Sequence, residues 1–558
     1  MVPNNLTGAI SKNVSHGKTG AANPYLLAIL ASLMTAAAFT QLYTWLIWIS
    51  FVPLLILLGS LSPKVAFKAG FCFGAGLAVF VFWWMIPGAG RFTGSRAGVG
   101  YGLIAFLLSS CLLCFYFGGI MLAARYLSLP AKFLKSGKSA TNTVNIKYTR
   151  VRLARLYMPL LIRSLTLASI FTLAEYILQR VTGGLPWLYF QAGLPLSASR
   201  WMIQWVSLLG APVLSFMVIF INSLIACTLR EAAWKLLWVP VCFIGLYGLG
   251  GYLLQKEFRE TSRLEIPADA TTENKITIAI LSENIPPDIK WDSINGNQLA
   301  ARLVDLSREI NNLKPRPSIA LWSESAIPWT YEKDDDLVQA ILQNTKTSGI
   351  THFLGINTAT GQPGVVYNSI YELSWNGEVK ARYDKQVLLS LIERPLGKLL
   401  LPFLSSSGFT AMRGPCGDPL PVNSQGKAGI LICNESTSSA LAREALLKGA
   451  TFFCNPGNDG WFMDTYLSRL HFYHARLRAV ETRKDIVLNS NMGYSGLIQA
   501  SGKILFRQKS RDPAIYNVQV HPNHFVPFVA SCPHLLLLAC LLFIAGRVSY
   551  VFYRSRHL

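Results

Sequence analysis

The chain has 558 residues, 51% of them apolar and 14% charged, a balance too greasy for an ordinary soluble protein and one that points to the membrane class. Its formal charge of +22 does not argue for nucleic acid, because the first Asp or Glu met from Met1 is Glu175. The imbalance belongs to a membrane part, where acids are excluded and Lys and Arg gather on cytoplasmic loops.

Residues 1–23 are polar, carry Lys12 and Lys18, and precede an apolar run without a small-residue cleavage site, which reads as an uncleaved cytoplasmic tail. Apolar stretches at about 24–39, 42–61, 69–88, 99–124, 157–179, 201–226 and 234–254 each approach the length that spans a bilayer, and an eighth lies at about 533–553. The first two are separated by little more than Gln41. With the N-terminus inside, the inner connections hold Lys64 and Lys68, then Lys132, Lys135, Lys138, Lys147, Arg150, Arg152 and Arg155, then Arg230 and Lys235. The outer loops hold Arg91, Arg96, Arg180 and Arg200, so the positive-inside rule fixes the orientation. Seven spans in a membrane domain over 24–255 then leave a polar domain, 256–532, on the extracytoplasmic side, and the eighth span returns a short tail, 554–558, with Arg554 and Arg556, to the inside. The basic stretch 132–155 is expected to touch anionic headgroups.

The polar domain alternates short buried-strand runs with helical patterns, and is expected to form one α/β unit. Strands are predicted at Ile276 to Leu281, Ser318 to Trp322, His352 to Ile356, Ile370 to Leu373, Gly429 to Cys433 and Thr451 to Asn455, and helices at 297–312, 335–346 and 437–448. Cys72, Cys111, Cys114, Cys227, Cys242 and Cys540 lie inside apolar runs, where a thiol behaves as a small hydrophobe. Cys416, Cys433 and Cys454 fall in the polar domain without metal-type spacing, so no zinc site is implied. Cys416 and Cys454 leave a disulfide open, and His471 and His474, three apart on a predicted helix, lack a third metal ligand nearby.

Three strand ends carry chemistry. The first strand of interest ends in Ser323-Glu324-Ser325, presenting a carboxylate just beyond a buried edge, where it can serve as a general base. Tyr383-Asp384-Lys385 follows the strand pair around Tyr371 and Val379; a cation there can stabilise an oxyanion and help hold a thiolate. Cys433 closes the apolar run Gly429-Ile430-Leu431-Ile432 and is followed by Asn434-Glu435-Ser436, a thiol delivered onto a tight polar turn, with the Asn434 N–H available to an oxyanion. Each is weak alone; in the order Glu, Lys, Cys they say more.

That order, with the contexts Leu321-Trp322-Ser323-Glu324-Ser325-Ala326-Ile327-Pro328, Tyr383-Asp384-Lys385 and Ile432-Cys433-Asn434-Glu435, resembles the Glu-Lys-Cys triad of the nitrilase superfamily. More narrowly, the chain resembles the apolipoprotein N-acyltransferase family. Further matches are Asn284-Ile285-Pro286, Lys290-Trp291-Asp292, Tyr367-Asn368-Ser369, Asn458-Asp459-Gly460-Trp461-Phe462, the Ala475 to Glu481 helix, Ala174-Glu175-Tyr176 and Gly184-Leu185-Pro186-Trp187. The resemblance implies a polytopic α-helical membrane protein with seven spans, an extracytoplasmic nitrilase-like α-β-β-α sandwich, then one span.

It also implies a two-step transfer. Glu324 would take the proton of Cys433, which attacks a phospholipid ester to leave a thioester; the α-amine of an N-terminal diacylglyceryl-cysteine on an apolipoprotein would then take the acyl chain, with Lys385 stabilising both oxyanions. Glu393 and Glu435 match supporting carboxylates, and Trp291 matches a tryptophan linked to substrate handling. Glu175 is read as either functional or structurally paired. No cofactor, metal or nucleic acid is implied. The setting is a monomer in the cytoplasmic (inner) membrane of a Gram-negative-type bacterium, its catalytic side periplasmic. Departures from the family pattern are Leu389-Ser390-Leu391-Ile392 before Glu393, Asn434 beside the thiol and Ser323 before the base. A membrane-anchored amidase that gives the acyl group to water, or a non-catalytic lipid-binding or transport relative, are the competing readings.

Overall fold

The computed structural model describes residues 23–93, 96–127, 146–185, 188, 190–264, 275–390, 393, 410–423, 426–462 and 465–557. The N-terminal tail and the side chains of the basic stretch Lys132 to Arg155 lie outside them. Among the described residues, seven helices are long and apolar enough to cross a membrane: Pro24–Gln41, Pro63–Phe82, Gly98–Leu127, Tyr157–Val181, Pro212–Arg230, Trp234–Arg259 and Leu535–Tyr553. The last runs on to His557, so residues 554–557 of the expected tail continue it.

The span expected at 42–61 is not one helix. It is broken into the short pieces Leu46–Trp48, Val52–Leu55 and Leu58–Ser60. Pro53 supplies no N–H and opens the middle piece, and the backbone groups that the breaks release are met by another helix. Asn222, fully buried on Pro212–Arg230, accepts from the Phe51 N–H at 2.9 Å and donates to the Ile47 carbonyl at 2.9 Å. Six long helices therefore precede the polar region, and the broken segment runs from the bundle end that holds Gln41 to the end that holds Leu61. At the first of these ends Arg469 donates to the Thr40 carbonyl and Tyr466 Oη to the Val81 carbonyl; at the second Arg125 donates to the Leu61 carbonyl. The stretch expected as a span at 201–226 likewise shortens to Pro212–Arg230, because 190–209 folds into turns and the short helices Leu194–Ala198 and Val206–Leu209.

The polar part holds fourteen described strands: β1 Ile276–Ser282, β2 Ile319–Leu321, β3 Ile327–Thr330, β4 Thr351–Ala359, β5 Val365–Leu373, β6 Val379–Asp384, β7 Thr410–Ala411, β8 Leu420–Asn423, β9 Gly426–Ile430, β10 Phe452–Asn458, β11 Ile486–Asn491, β12 Ser495–Ile498, β13 Ile504–Gln508 and β14 Ala514–Val520. One sheet is ordered β14-β1-β2-β4-β5-β6, with β3 on β4 and β7 on β5; the other is ordered β13-β12-β11-β10-β9-β8. Pairing is parallel at β1/β2/β4 and β9/β10/β11, so both sheets deliver strand ends and the turns after them on one side. Ile278, Ile280, Ile319, Leu321 and Phe353 face Ile430, Ile432 and Phe452 between the sheets, all essentially without exposure. Asn489 on β11 stitches the sheets at their ends by donating to the Leu281 and Leu321 carbonyls at 2.7 and 2.9 Å.

Helices Gly296–Glu309 and Asp336–Thr345 cover the outer face of the first sheet. Ser439–Leu447 and Leu467–Thr482 cover the second, and the apolar residues of this layer, among them Phe472, Leu477 and Val480, belong to one continuous core with Phe39, Ile203 and Val206 of the membrane part. Two buried arginines add polar ties across that junction. Arg476 donates to the carbonyls of Ser197 and Ala198 at 2.7 and 2.9 Å, and Arg483 to Gln204 Oε1 and Ser207 Oγ at 2.7 and 2.9 Å.

Substituting Asn222→Leu should lower the stability of the bundle by about 1–3 kcal/mol, since the buried Phe51 N–H and Ile47 carbonyl lose their partner. The check is the thermal midpoint of the detergent-solubilised protein, which would fall; an unchanged midpoint would mean the broken segment is satisfied without Asn222.

Candidate active site

The carboxylate of Glu324 is placed by the end of β2. Trp322 is buried, its Nε1 3.1 Å from His352 Nδ1, and the Ser323 N–H donates to Glu283 Oε1 at 3.2 Å. Ser325 takes a left-handed φ of 51°, which turns the chain sharply just past Glu324. A proline at 323 would have no N–H for Glu283, so the Ser323 departure comes with its own anchor.

Lys385 follows β6, its N–H bonded to the Asn368 carbonyl at 2.8 Å and its side chain without exposure. Its Nζ lies 2.8 Å from Glu324 Oε1 and 2.9 Å from Glu393 Oε1, and Asn368 Nδ2 donates to the same two oxygens at 2.9 and 3.3 Å. Glu393 is held in turn by the Leu389 N–H on its Oε2 at 2.7 Å. Burial works against the ammonium, but Glu324 and then Glu393 outweigh it and hold Lys385 well above the usual lysine value. Its charge, and the stability it contributes, is in place below the ordinary lysine range and is lost only as pH climbs through that higher folded value.

Cys433 arrives three residues past the end of β9 with a left-handed φ of 51°, and opens the short 3₁₀ helix Cys433–Thr437. Burial, then the Glu324 charge, push its thiol well above the usual value, while Lys385 and the Asn458 backbone N–H pull the other way. Lys385 thus pulls toward the thiolate, in the direction expected of a cation there, but burial and the neighbouring carboxylate outweigh it. A base is needed at the moment of reaction.

Glu435 ties this turn to the lysine. Its Oε1 accepts from the N–H groups of Gln386 and Val387 at 2.6 and 2.9 Å, and its Oε2 from the Ile432 N–H at 2.7 Å and Tyr383 Oη at 3.0 Å. Burial pushes Glu435 up to about 7, against the pull of these N–H donors and of Lys385. Asn434 adds a side-chain bond from Nδ2 to the Val387 carbonyl at 3.0 Å. The Asn458 backbone N–H, at the end of β10, is among the groups that favour the thiolate of Cys433.

The structure thus brings Glu324, Lys385, Cys433, Glu393, Glu435 and Asn434 together. Trp291 instead packs edge-on against Trp329, ring centroids 5.1 Å apart, among the residues outside the first sheet. Glu175 accepts from the Ala192 N–H at 2.8 Å, which gives it a structural partner in the turns before Pro212. Cys416 and Cys454 are both free; Cys454 is buried between the sheets, and Cys416 lies 3.5 Å from Arg382 Nη2. No group of metal-ligating side chains occurs among the described residues. Leu391, Ile392, Pro186 and Trp187 lie outside the described residues. Sequence reasoning gave no role to Asn368 or Tyr383, although both stand in motifs it singled out; their roles depend on side chains that meet across strands.

The loop after Lys385 also touches the membrane part. The Ser390 N–H donates to the Gly184 carbonyl at 2.8 Å, and Gly184 has a φ of 87° with the Leu388 carbonyl 2.6 Å from where a Cβ would sit, so only glycine fits. A cavity of about 400 Å³ lies beside this contact, walled by Val387 and Leu388 on one side and by Glu175, Gln179 and Leu537 from the helices.

A family model described as carbon-nitrogen hydrolase matches residues 301–513, and one described as apolipoprotein N-acyltransferase N-terminal domain matches residues 31–224. An apolipoprotein N-acyltransferase from Geobacter metallireducens is 25% identical over 89% of this chain and 89% of its own length. One from Agrobacterium fabrum is 28% identical over 62% of this chain, which spans 64% of that relative's length. The solved structure of Saccharomyces cerevisiae Nit3, a member of branch 10 of the nitrilase superfamily, aligns at 16% identity over 47% of this chain and 93% of that one, with a TM-score of 0.35.

Replacing Glu324 by Gln removes the charge that raises the Cys433 thiol while leaving Lys385 in place. Alkylation of the Cys433 peptide by iodoacetamide at neutral pH, followed by mass spectrometry, should become faster; a slower reaction would contradict the charge balance described here.

Proposed function

We propose, from the membership of this chain in the apolipoprotein N-acyltransferase family, that it moves an acyl chain from a phospholipid to the α-amine of the diacylglyceryl-cysteine that begins an apolipoprotein. The observation that carries this reading is the buried Glu324–Lys385–Glu393 cluster beside Cys433, on a domain whose helix layer shares its core with the membrane helices. A soluble amide hydrolase has no need of that shared core; an enzyme whose two substrates are both anchored in lipid does.

In the first step Glu324 takes the proton from the Cys433 sulfur, and the thiolate attacks the ester carbonyl carbon. The carbon–sulfur bond forms as the ester carbon–oxygen bond breaks, and the lysophospholipid oxygen leaves with the proton Glu324 holds. In the second, the substrate amine attacks the thioester, gives its proton to Glu324, and Cys433 leaves and is reprotonated. Lys385 has three N–H donors; Glu324 and Glu393 take two, which leaves one for the oxyanion in both steps. Glu393 and Asn368 keep the ammonium aimed, and Glu435 fixes the distance between the lysine segment and the nucleophile turn. The thioester splits one acyl transfer between two bulky lipids into two reactions that use one pocket in turn.

The same reading places the domain from Ile276 to Val520 on the periplasmic face of a bacterial inner membrane, with the remaining helices as its anchor, and takes the enzyme to act as a monomer. The Lys and Arg bias of the loops, the broken segment Leu46–Ser60 counted as a pass, and the cavity beside Val387 that reaches the membrane helices support it.

Incubated with phospholipid, the protein should gain one acyl mass on the Cys433 peptide, removable by hydroxylamine, and with a diacylated lipopeptide added, the acyl chain should appear as an amide on the peptide. Cys433→Ala should abolish both, and Glu324→Gln should slow the adduct by about 10²–10⁴-fold. Acyl appearing as free fatty acid alone would make the protein a hydrolase, and full activity without Cys433 would remove it from this chemistry.

A further inference from the structure

The Leu467–Thr482 helix sets His471 against the nucleophile turn. Its Nε2 lies 2.8 Å from the Cys433 carbonyl oxygen and its Nδ1 2.9 Å from Asp459 Oδ1, an oxygen of a carboxylate that is 1% exposed. Both partners are acceptors. A neutral imidazole has one N–H and one lone pair, so it would turn a lone pair onto an oxygen on one side; the imidazolium donates on both. The ring is also close in space to the reacting residue, since a Cβ on Gly457 would meet His471 Cε1 at 3.2 Å and Cys433 Cα at 3.5 Å.

Two needs of the site meet at this ring. Cys433 holds a left-handed φ of 51° that is strained for a non-glycine residue, so the turn has to be fixed by its surroundings. Its carbonyl is fixed by His471, by Asn455 Nδ2 at 3.2 Å and by Ser436 Oγ at 3.2 Å. Asp459, for its part, is an anion whose charge opposes ionisation of the Cys433 thiol. We infer that His471 is a positioning residue for the nucleophile: held as an imidazolium between Asp459 and the Cys433 carbonyl, it pins the left-handed turn and cancels the Asp459 charge that opposes the thiolate. This rests on Cys433 being the nucleophile of the reaction proposed above.

Charged and titratable groups around His471 agree with this assignment. Burial works against its charge, but Asp459 outweighs it and, with the bond to the Cys433 carbonyl and a contribution from Glu324, raises His471 above the usual imidazole value. His474, one turn along the same helix, is pushed by burial, with Arg478 and His471 adding to the effect, down to about 3, so it stays neutral and does not compete for the proton. The sign follows for a raised histidine: its stabilising contribution is complete below the unfolded imidazole value and is lost as pH rises through the higher folded one.

The test reads the thiol and not the acyl transfer, so it stands apart from the proposed reaction. In His471→Gln, Asp459 is left uncompensated, and the pH profile of iodoacetamide alkylation at the Cys433 peptide should shift upward by about one unit, roughly tenfold lower reactivity at neutral pH. In the double variant H471Q/D459N the uncompensated carboxylate is gone, and the profile should return toward the original. An unshifted single variant, or a double variant no better than the single, overturns the proposal, since a purely structural lesion is not repaired by a second one. If the single variant does not fold, NMR of isotope-labelled imidazole nitrogens in the unmodified protein decides: both nitrogens of His471 protonated at neutral pH support the assignment, and a neutral ring overturns it.

Discussion

A lysine side chain with no exposure can stay charged only if carboxylates within hydrogen-bond reach repay its lost hydration, and Lys385 has two. Much of the site is arranged around that requirement. Glu324 comes from the end of β2 in the first sheet, and Glu393 from the loop that follows the lysine itself. Asn368 on β5 donates to both, so the two acids are held at a spacing set by one amide group. Removing either acid leaves an expensive buried cation, which is why the cluster is best regarded as one object and not as three residues. The high thiol value of Cys433 follows from the same arrangement, since a carboxylate placed to receive its proton also discourages the thiolate until a substrate draws the proton away.

The sandwich makes that cluster possible by bringing together segments far apart in the chain. Parallel strands in both sheets release their turns on one side, so a base from the first sheet and a nucleophile from the second face each other across the seam. Glu435 then bridges the seam with both oxygens, to β6 and its continuation on one side and to its own turn on the other. The left-handed conformations of Ser325 and Cys433 stand one on each side of this seam, each at the point where a strand must turn abruptly to present a functional group.

What could be read in the sequence was whatever a single strand or helix carries by itself. The runs ending at Trp322 and Cys433 announced buried strands with polar ends, and β1, β4 and β10 were visible for the same reason, as strings of apolar and β-branched residues. The stretch 42–61 misled because hydropathy does not distinguish a continuous helix from pieces whose loose backbone groups are satisfied from elsewhere, and Asn222, the residue that satisfies them, stands about 170 positions away. His471 was set aside as a metal ligand for want of a third partner, and nothing in its own stretch of sequence showed what it does bond. Its partners are a carbonyl and a carboxylate brought to it by other elements. Asn458 contributes through its backbone, which no side-chain pattern can reveal. Trp291 is the converse case, matching a motif yet packed on Trp329.

The Leu467–Thr482 helix serves two masters: one side closes the second sheet, and the other is packed into the core of the membrane bundle. Cut free of its helices, the domain would leave Phe472, Leu477, Val480 and the buried guanidinium groups of Arg476 and Arg483 without the surfaces that cover and bond them. The catalytic unit is therefore not portable. Soluble domains can be recruited, secreted or fused to new partners over evolutionary time, but this one is grafted to its bilayer through its own interior, and any change of habitat would first require a new hydrophobic face.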